Sequence, residues 1–358
     1  MLTTTVIYVA TFIIAAAVAA LATPLVKRLA VHLGILYGAE DARHVHSIPT
    51  PRIGGIAVFL AFAVALFAVL GLALSSPYSL APSLAHASLP RRLDVIGTQF
   101  ETIHRLVGLL FGSLLILGVG IWDDVMQMRP RNKFIAQTLV ALVSMLYGFI
   151  IPGITNPFDH NPNTNWIDFP LWVGVPLTLL WYVGMMNAIN FLDGLDGLLA
   201  GFTAIASLFI FAIFVLHGDS VVALVVIALA GSAIGFLPYN FNPARIFLGD
   251  AGSLFIGYVF ATVSIIGESK TAIAISLLVP LLILALPVLD TAAAIVRRAL
   301  GGRAITEADR EHFHHQLIFR FGLNVRQAVF LIYALCIVLG TVALVLSGGL
   351  THIFRHGN

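Results

Sequence analysis

The sequence predicts an all-α, polytopic membrane protein of about ten transmembrane helices with a cleft open to the cytoplasm. Three observations lead there. Of 358 residues, 59% are hydrophobic and only 10% charged, too few polar side chains to coat a water-soluble globule. Apolar runs of roughly 20 residues, long enough to cross a bilayer as helices, recur along the whole chain. Lysines and arginines gather in alternate connections between those runs. In lipid each backbone N–H and C=O must be paired internally, so the runs must be helices. The alternating ten-residue segments of a membrane β-barrel are missing from the pattern.

In order, the spans read 4–24, 53–74, 105–122, 134–151, 169–189, 198–216, 220–238, 254–268, 271–296 and 326–346. Pro280 and Pro287 should kink or break the ninth. The first run contains Ala20-Leu21-Ala22, which imitates a signal-peptide cleavage site, but no basic residue precedes it while Lys27 and Arg28 follow. That is the reverse of a secretory signal. A retained helix with its N-terminus outside is expected. Ten crossings then put residues 25–52, 123–133, 190–197, 239–253 and 297–325 on one side. That side carries fourteen lysines and arginines against five on the other, so it is cytoplasmic and both termini lie outside. The whole chain, 1–358, reads as a single integral membrane domain. Cys336 is its one cysteine, which excludes an intrachain disulfide and a Cys-based zinc site. The net charge of +2 says little about a partner, and no nucleic-acid partner is expected.

The acidic residues are not scattered. Asp123, Asp124, Asp193, Asp196, Asp250 and Asp290 all fall at or beside cytoplasmic ends of expected helices. A charge at the bilayer centre costs about 2.5–3.5 kcal/mol on insertion scales, so these groups must meet water, cations or one another. Snorkelling at the interface is the bland alternative for any one of them. Asp123-Asp124 closes the third span ahead of Arg129, Arg131 and Lys133. Neighbouring carboxylates repel, so the pair suits a metal site or a general base, or else merely caps the turn; Lys133 in turn could be a snorkelling anchor. Asn187, Asn190 and Asp193 recur every third residue, which lines one helix face with oxygen acceptors, and Gly194 and Gly197 follow. Oxygen ligands suit a hard cation such as Mg²⁺; for Asn187 alone, interhelical hydrogen bonding serves equally well. In Phe247-Leu248-Gly249-Asp250-Ala251-Gly252-Ser253, Ser253 is placed to N-cap the eighth span. That helix N-terminus would favour phosphate, and Asp250 could hold a metal bridging the same phosphates. His312-Phe313-His314-His315 lies in the most basic loop; zinc is one reading, and donors to phosphate fit better because no Cys or Glu completes a zinc set.

Together these motifs resemble the polyprenyl-phosphate N-acetylhexosamine-1-phosphate transferase family over nearly the full length. The matching pieces, in family order, are Arg43-His44-Val45-His46 with Pro49-Thr50-Pro51-Arg52-Ile53-Gly54-Gly55, Asp123-Asp124, the run Asn187 to Gly197, Phe247 to Ser253, and His312 to His315. The Pro-Arg-Ile-Gly-Gly and His-Phe-His-His forms are similar to the branch that attaches GlcNAc-1-phosphate to undecaprenyl phosphate at the start of O-antigen, enterobacterial common antigen or teichoic acid synthesis. The relative that transfers phospho-MurNAc-pentapeptide usually shows three consecutive histidines followed by Phe-Glu; here Phe313 interrupts them and Gln316 follows.

The resemblance implies a ten-helix enzyme of the bacterial inner membrane acting on a UDP-N-acetylhexosamine and a polyprenyl phosphate, with a homodimer as one assembly open to it. It implies Mg²⁺, or Mn²⁺ in its place, on Asp250 with Asn190 as second ligand. Phe247 would stack on uracil near Asn240, Asp193 and Asp196, with Asn187 also on the substrate side. Arg303, Lys133, His312, His314 and His315 would screen the diphosphate, and Asp123 or Asp124 would deprotonate or orient the acceptor. The rival from another class is an ion-coupled transporter, which would place its carboxylates near mid-membrane rather than at one face.

Overall fold

The structure, a computed structural model, describes residues 2–37, 49–75, 89–155, 166–266, 289 and 313–347. Its helices among these residues are α1 (Leu2–His32), α2 (Gly55–Ser75), α3 (Leu89–Met126), α4 (Pro130–Leu146), α5 (Leu171–Leu192), α6 (Leu198–Leu216), α7 (Ser220–Asn240), α8 (Gly249–Val263), the short α9 (Phe313–Phe319) and α10 (Val325–Leu346). Every expected span falls on one of them except 271–296, which, with Pro280, Pro287 and Asp290, lies almost wholly outside the described residues. Helices α1, α3, α5, α6, α7 and α10 are long and apolar enough to cross a membrane; α8 and the first fifteen residues of α2 are shorter apolar helices. The chain is a mostly helical, polytopic membrane protein.

The all-α expectation needs one amendment. Two antiparallel ribbons interrupt the helices, β1 (Leu36–Tyr37) with β2 (Thr50–Pro51) and β3 (Gly153–Thr155) with β4 (Trp166–Asp168). Both lie in connections between helices, where backbone groups must find partners outside a helix.

Helix boundaries also move. Residues 25–32, expected as loop, continue α1 through Pro24. Proline has no N–H to offer the carbonyl four residues earlier, and the Tyr239 hydroxyl of α7 donates to that carbonyl, Ala20 O, at 3.0 Å. A neighbouring helix thus repairs the gap, as membrane helices commonly require. At the other end of the site, α8 begins at Gly249 rather than near 254, so Asp250 lies in its first turn.

Two helices organise the bundle. α7 packs against α1, α2 and α6, and α8 packs against α2, α3 and α5. Apart from Asp250, α8 is buried along its whole length. Its far half is held by neutral side chains: the Tyr258 and Ser144 hydroxyls meet at 2.8 Å, those of Tyr182 and Thr262 at 2.9 Å, and the Trp181 indole donates to Ser264 Oγ at 2.8 Å. Its first turns instead touch α2 and α3 backbone to backbone. A Cβ on Gly55 would collide with the Gly252 backbone, and one on Gly120 would fall 2.5 Å from Asp250 O. Small residues permit this approach, and they fix where the first turn of α8 sits relative to the end of α3.

Candidate active site

The site is framed by backbone. The Phe247 N–H donates to Pro51 O, the Gly54 N–H to Phe247 O and the Gly55 N–H to Leu248 O, each at 2.9 Å. The Pro-Arg-Ile-Gly-Gly motif is thereby clamped against the chain entering α8. Ile53 is buried within it at φ 68°, a left-handed conformation that a β-branched residue rarely adopts. Gly249, at φ 72°, turns the chain into α8, and a Cβ there would strike the Asp124 carboxylate.

That carboxylate closes the helix end. Asp124 accepts the Asp250 N–H at 2.9 Å and the Ala251 N–H at 3.0 Å, and Arg52 Nε lies 3.4 Å away. Two expectations change here. The N–H groups at the start of α8 are not free for phosphate, because a carboxylate takes the position an anion would fill at the positive end of the helix dipole. Ser253 does not N-cap; it lies inside the helix, donating to Gly249 O at 3.1 Å and accepting from Asn190 Nδ2 at 2.7 Å.

Beside this clasp sits the charged centre. Lys133, one turn into α4, places Nζ 2.8 Å from Asp123 Oδ2, 3.3 Å from Asp250 Oδ1 and 3.3 Å from Asn190 Oδ1. Asn190 also donates to Asp250 Oδ1. Asp123, on its other oxygen, accepts the Met128 N–H at 2.8 Å, which steers the chain out of α3 towards α4. Three sequence-separated positions, from the end of α3, the end of α5 and the start of α8, thus converge on one ammonium group. Pro130 at the N-terminus of α4 presets that helix, and the turn between α3 and α4 brings Lys133 back under Asp123.

Each other expected residue has a definite place. Asn187 faces α4, donating to Gln137 Oε1 at 2.8 Å and to Val183 O at 2.8 Å. Asp193 caps the C-terminus of α5. Its carboxyl is pushed up to about 8, first by desolvation and then by the fields of Asp250 and Asp124, with Arg52 opposing. Asp196 accepts from Asn242 Nδ2 and the Ala244 N–H, both at 3.0 Å. Asn240 accepts the Gly197 N–H at 3.2 Å and donates to Ile246 O at 3.0 Å. These two therefore pin the α5–α6 turn to the segment 241–248. Phe247 is half-buried. Arg303 and His312 lie outside the described residues; His314 and His315 lie on α9, with only their backbone described. Arg43, His44 and His46 are also outside.

Sequence reasoning did not nominate Arg52, Gln137 or Ser253 for the site. Arg52 was visible as the charge inside the Pro-Arg-Ile-Gly-Gly motif. Gln137, one turn after Lys133 in an apolar run, carried the same signal of a polar group in a membrane helix.

The donor set fits a hard divalent cation in chemistry. Asp123, Asp250 and Asn190 present oxygen only, and they already surround a positive group. Among the described residues the carboxylates of Asp123, Asp124, Asp193 and Asp250 outnumber the cations Arg52 and Lys133, and the Asp193 carboxyl is raised first by desolvation and then by the fields of Asp250 and Asp124. Among the described residues no cluster of three His, Cys, Asp or Glu is disposed to hold a metal unaided. Mg²⁺ commonly binds through one or two carboxylates and completes its shell with water and substrate phosphate.

Residues 106–268 match the sequence profile of glycosyl transferase family 4. A probable undecaprenyl-phosphate N-acetylglucosaminyl 1-phosphate transferase of Bacillus subtilis (strain 168) is 36% identical over 348 residues, covering 95% of this chain and 85% of the relative. The chain belongs to glycosyl transferase family 4. A decaprenyl-phosphate N-acetylglucosaminephosphotransferase of Mycobacterium tuberculosis (strain ATCC 25618 / H37Rv) is 33% identical over 339 residues, covering 89% of this chain and 77% of the relative. A phospho-N-acetylmuramoyl-pentapeptide-transferase of Staphylococcus aureus (strain JH9) is 30% identical over 250 residues, covering 67% and 75% respectively. Within this family 4 chain the matched stretch contains Asp123, Asp124, Lys133, Asn190, Asp193 and Asp250, while Arg52, His312, His314 and His315 fall outside it.

Proposed function

We propose that the protein transfers N-acetylglucosamine-1-phosphate from UDP-GlcNAc to a polyprenyl phosphate, giving polyprenyl-diphospho-GlcNAc and UMP, at the cytoplasmic face of a ten-span bacterial inner-membrane protein. The observation that carries the reading is the convergence of Asp123, Asp250 and Asn190 on the Lys133 ammonium, at a helix end clasped by Asp124. Two relatives named as GlcNAc-phosphate transferases of polyprenyl phosphates match most of the chain, and the pentapeptide transferase matches less of it at lower identity. Carboxylates collected at helix ends weigh against an ion-coupled transporter.

An oxygen of the polyprenyl phosphate attacks the β-phosphorus of the donor; the bond from that phosphorus to the bridging oxygen breaks, and UMP leaves. Such transfer is mostly positioning and charge neutralisation. Asp250, Asn190 and Asp123 would hold Mg²⁺, or Mn²⁺, which when bound neutralises charge on the diphosphate. Lys133 donates to phosphate oxygens. Asp123 orients the acceptor phosphate or takes its last proton; by analogy with phosphoserine, whose second pKa is about 6, most acceptor is already dianionic at neutral pH. Asp124 keeps Asp250 in place through the start of α8. Arg303 and the histidines 312, 314 and 315 complete the phosphate-facing set in this reading, and Phe247 with Asp193 flanks the uracil.

Purified protein incubated with tritiated UDP-GlcNAc, polyprenyl phosphate and Mg²⁺ should yield lipid-extractable label and free UMP in equal amounts, with neither after chelation. Label transferred only from UDP-MurNAc-pentapeptide would replace this reading with the pentapeptide one; transfer from neither donor would remove it.

A further inference from the structure

A second polar feature lies at the same end of the bundle, away from the carboxylates. A cavity of about 490 Å³ is lined by Lys27, Arg28 and His32 from the last turns of α1, Tyr239 from the end of α7 and Arg245 from the segment leading to α8. None of the described carboxylates pairs with Lys27, Arg28 or Arg245. The helix dipole favours cations at the end of α1, but it does not account for Arg245 arriving at the same cavity from a different element. Tyr239 fixes the wall, since its hydroxyl is bound to Ala20 O in the proline gap of α1. On α1, Leu21 and Leu25 lie two turns and one turn before Arg28 on the same stripe of the helix, and they are 72% and 63% exposed. An apolar stripe thus runs straight into a pocket of positive charge that no described carboxylate pairs.

We infer that this cavity binds the phosphate headgroup of an anionic phospholipid, with an acyl chain along Leu21 and Leu25. Basic pockets between membrane helices bind acidic lipid headgroups, and the cations here stand at the end of a candidate span, at headgroup depth. The wall carrying Arg245 belongs to the segment 241–248 that Asp196 and Asn240 pin and that leads directly to Phe247 and Asp250. A bound lipid would brace that segment.

The test is lipid retention on the full chain, read by native mass spectrometry from mixed micelles of phosphatidylglycerol and phosphatidylcholine. Wild type should retain phosphatidylglycerol selectively, and the triple variant Lys27→Gln/Arg28→Gln/Arg245→Gln should lose about a hundredfold in that preference. Arg28→Lys/Arg245→Lys, which keeps the charge, should retain most of it and guards against a folding defect in the triple variant. Equal retention of both lipids by wild type, or unchanged preference in the triple variant, would overturn the inference. So would displacement of phosphatidylglycerol by millimolar inorganic phosphate, which would mean a bare anion site. Stoichiometric displacement by polyprenyl phosphate would likewise overturn it, by making the cavity the acceptor's own.

Discussion

Helix α8 carries two buried polar networks that answer opposite needs. At its far half, Tyr258, Thr262 and Ser264 meet Ser144, Tyr182 and Trp181 through neutral hydrogen bonds, each hydroxyl with a partner. At its first turn, Asp250 meets Asn190, Lys133 and, through the backbone, Asp124. The neutral network is complete as it stands and joins helices. The charged one is not, because among the described residues its carboxylates exceed its cations. Interhelical hydrogen bonds in membranes contribute about 0.6 kcal/mol each on average, whereas ionised groups are tolerated there only when paired or solvated. Glue can therefore be neutral and deep, but a group kept charged at a helix end needs something further to bind.

That contrast predicts a steep asymmetry between the two halves of one helix. The largest effect belongs to Asp250→Asn, which keeps the shape and removes the charge. Transferase turnover should fall by roughly two to three orders of magnitude, the scale of losing one charge-stabilising group, while the thermal transition in detergent moves little. Turnover near wild type at limiting Mg²⁺ would show that the first turn of α8 is structural like the rest. Asp124→Asn should behave differently. It replaces an acceptor of two N–H groups by an amide that must turn one donor towards another, and it removes the ion pair between Asp124 and Arg52. Hydrogen bonds to charged groups contribute about 1.5–3 kcal/mol, so stability should drop by about that much and turnover should fall less than in Asp250→Asn. If Asp124→Asn silenced the enzyme without destabilising it, Asp124 would belong to the chemistry rather than to the clasp.

How much of this was legible beforehand follows the same division. The polytopic helical character and six long apolar helices were readable because hydrophobicity over about twenty residues is a long, redundant signal. The convergence of Asp123, Asn190 and Asp250 was readable because charges in a membrane protein have few places to go. Which of Asp123 and Asp124 faces the cation was not, since adjacent residues on a helix point about 100° apart and only the neighbours decide. The partner of Ser253 was also hidden. Its position suggested a cap, but Gly249 starts the helix a turn earlier by adopting positive φ, which leaves Ser253 inside to meet Asn190. Asp196 stood inside the Asn187 to Gly197 motif, and the resemblance set it with Asn240 beside the substrate. Their hydrogen bonds include the backbone of Gly197, Ile246 and Ala244 and the side chain of Asn242, contacts between segments that a linear reading cannot pair.

The surplus charge can be probed by pH. The Asp193 carboxyl rises from an ordinary 3.8 to about 8 in the folded protein. The folded state therefore binds this proton more tightly than the unfolded one. Stability associated with it is full below about 3.8, declines as pH rises, and is lost once pH passes about 8. In chelator the transition temperature of the wild type should fall between pH 6 and pH 8 by more than that of Asp193→Asn. Added Mg²⁺ should flatten the slope, because a cation nearby favours the ionised carboxylate. Parallel slopes for the two proteins would detach Asp193 from the charged centre.

The smallest expected effect is the one that tests the neutral half. Thr262→Val is close to isosteric and removes a hydroxyl that bonds Tyr182 and the Tyr258 carbonyl, at 2.9 and 2.8 Å. The Tyr258 carbonyl keeps its place in the helix, so the lost item is the bond between α5 and α8. A stability change of about 0.6 kcal/mol follows from the average for such bonds, with turnover and the dependence on Mg²⁺ unchanged. The substituted residue stands three turns along the same rigid helix as Asp250, so a shift in metal dependence would mean that the two networks are coupled along α8. The helix would then transmit strain between its halves rather than carry two independent devices, one for assembly and one for charge.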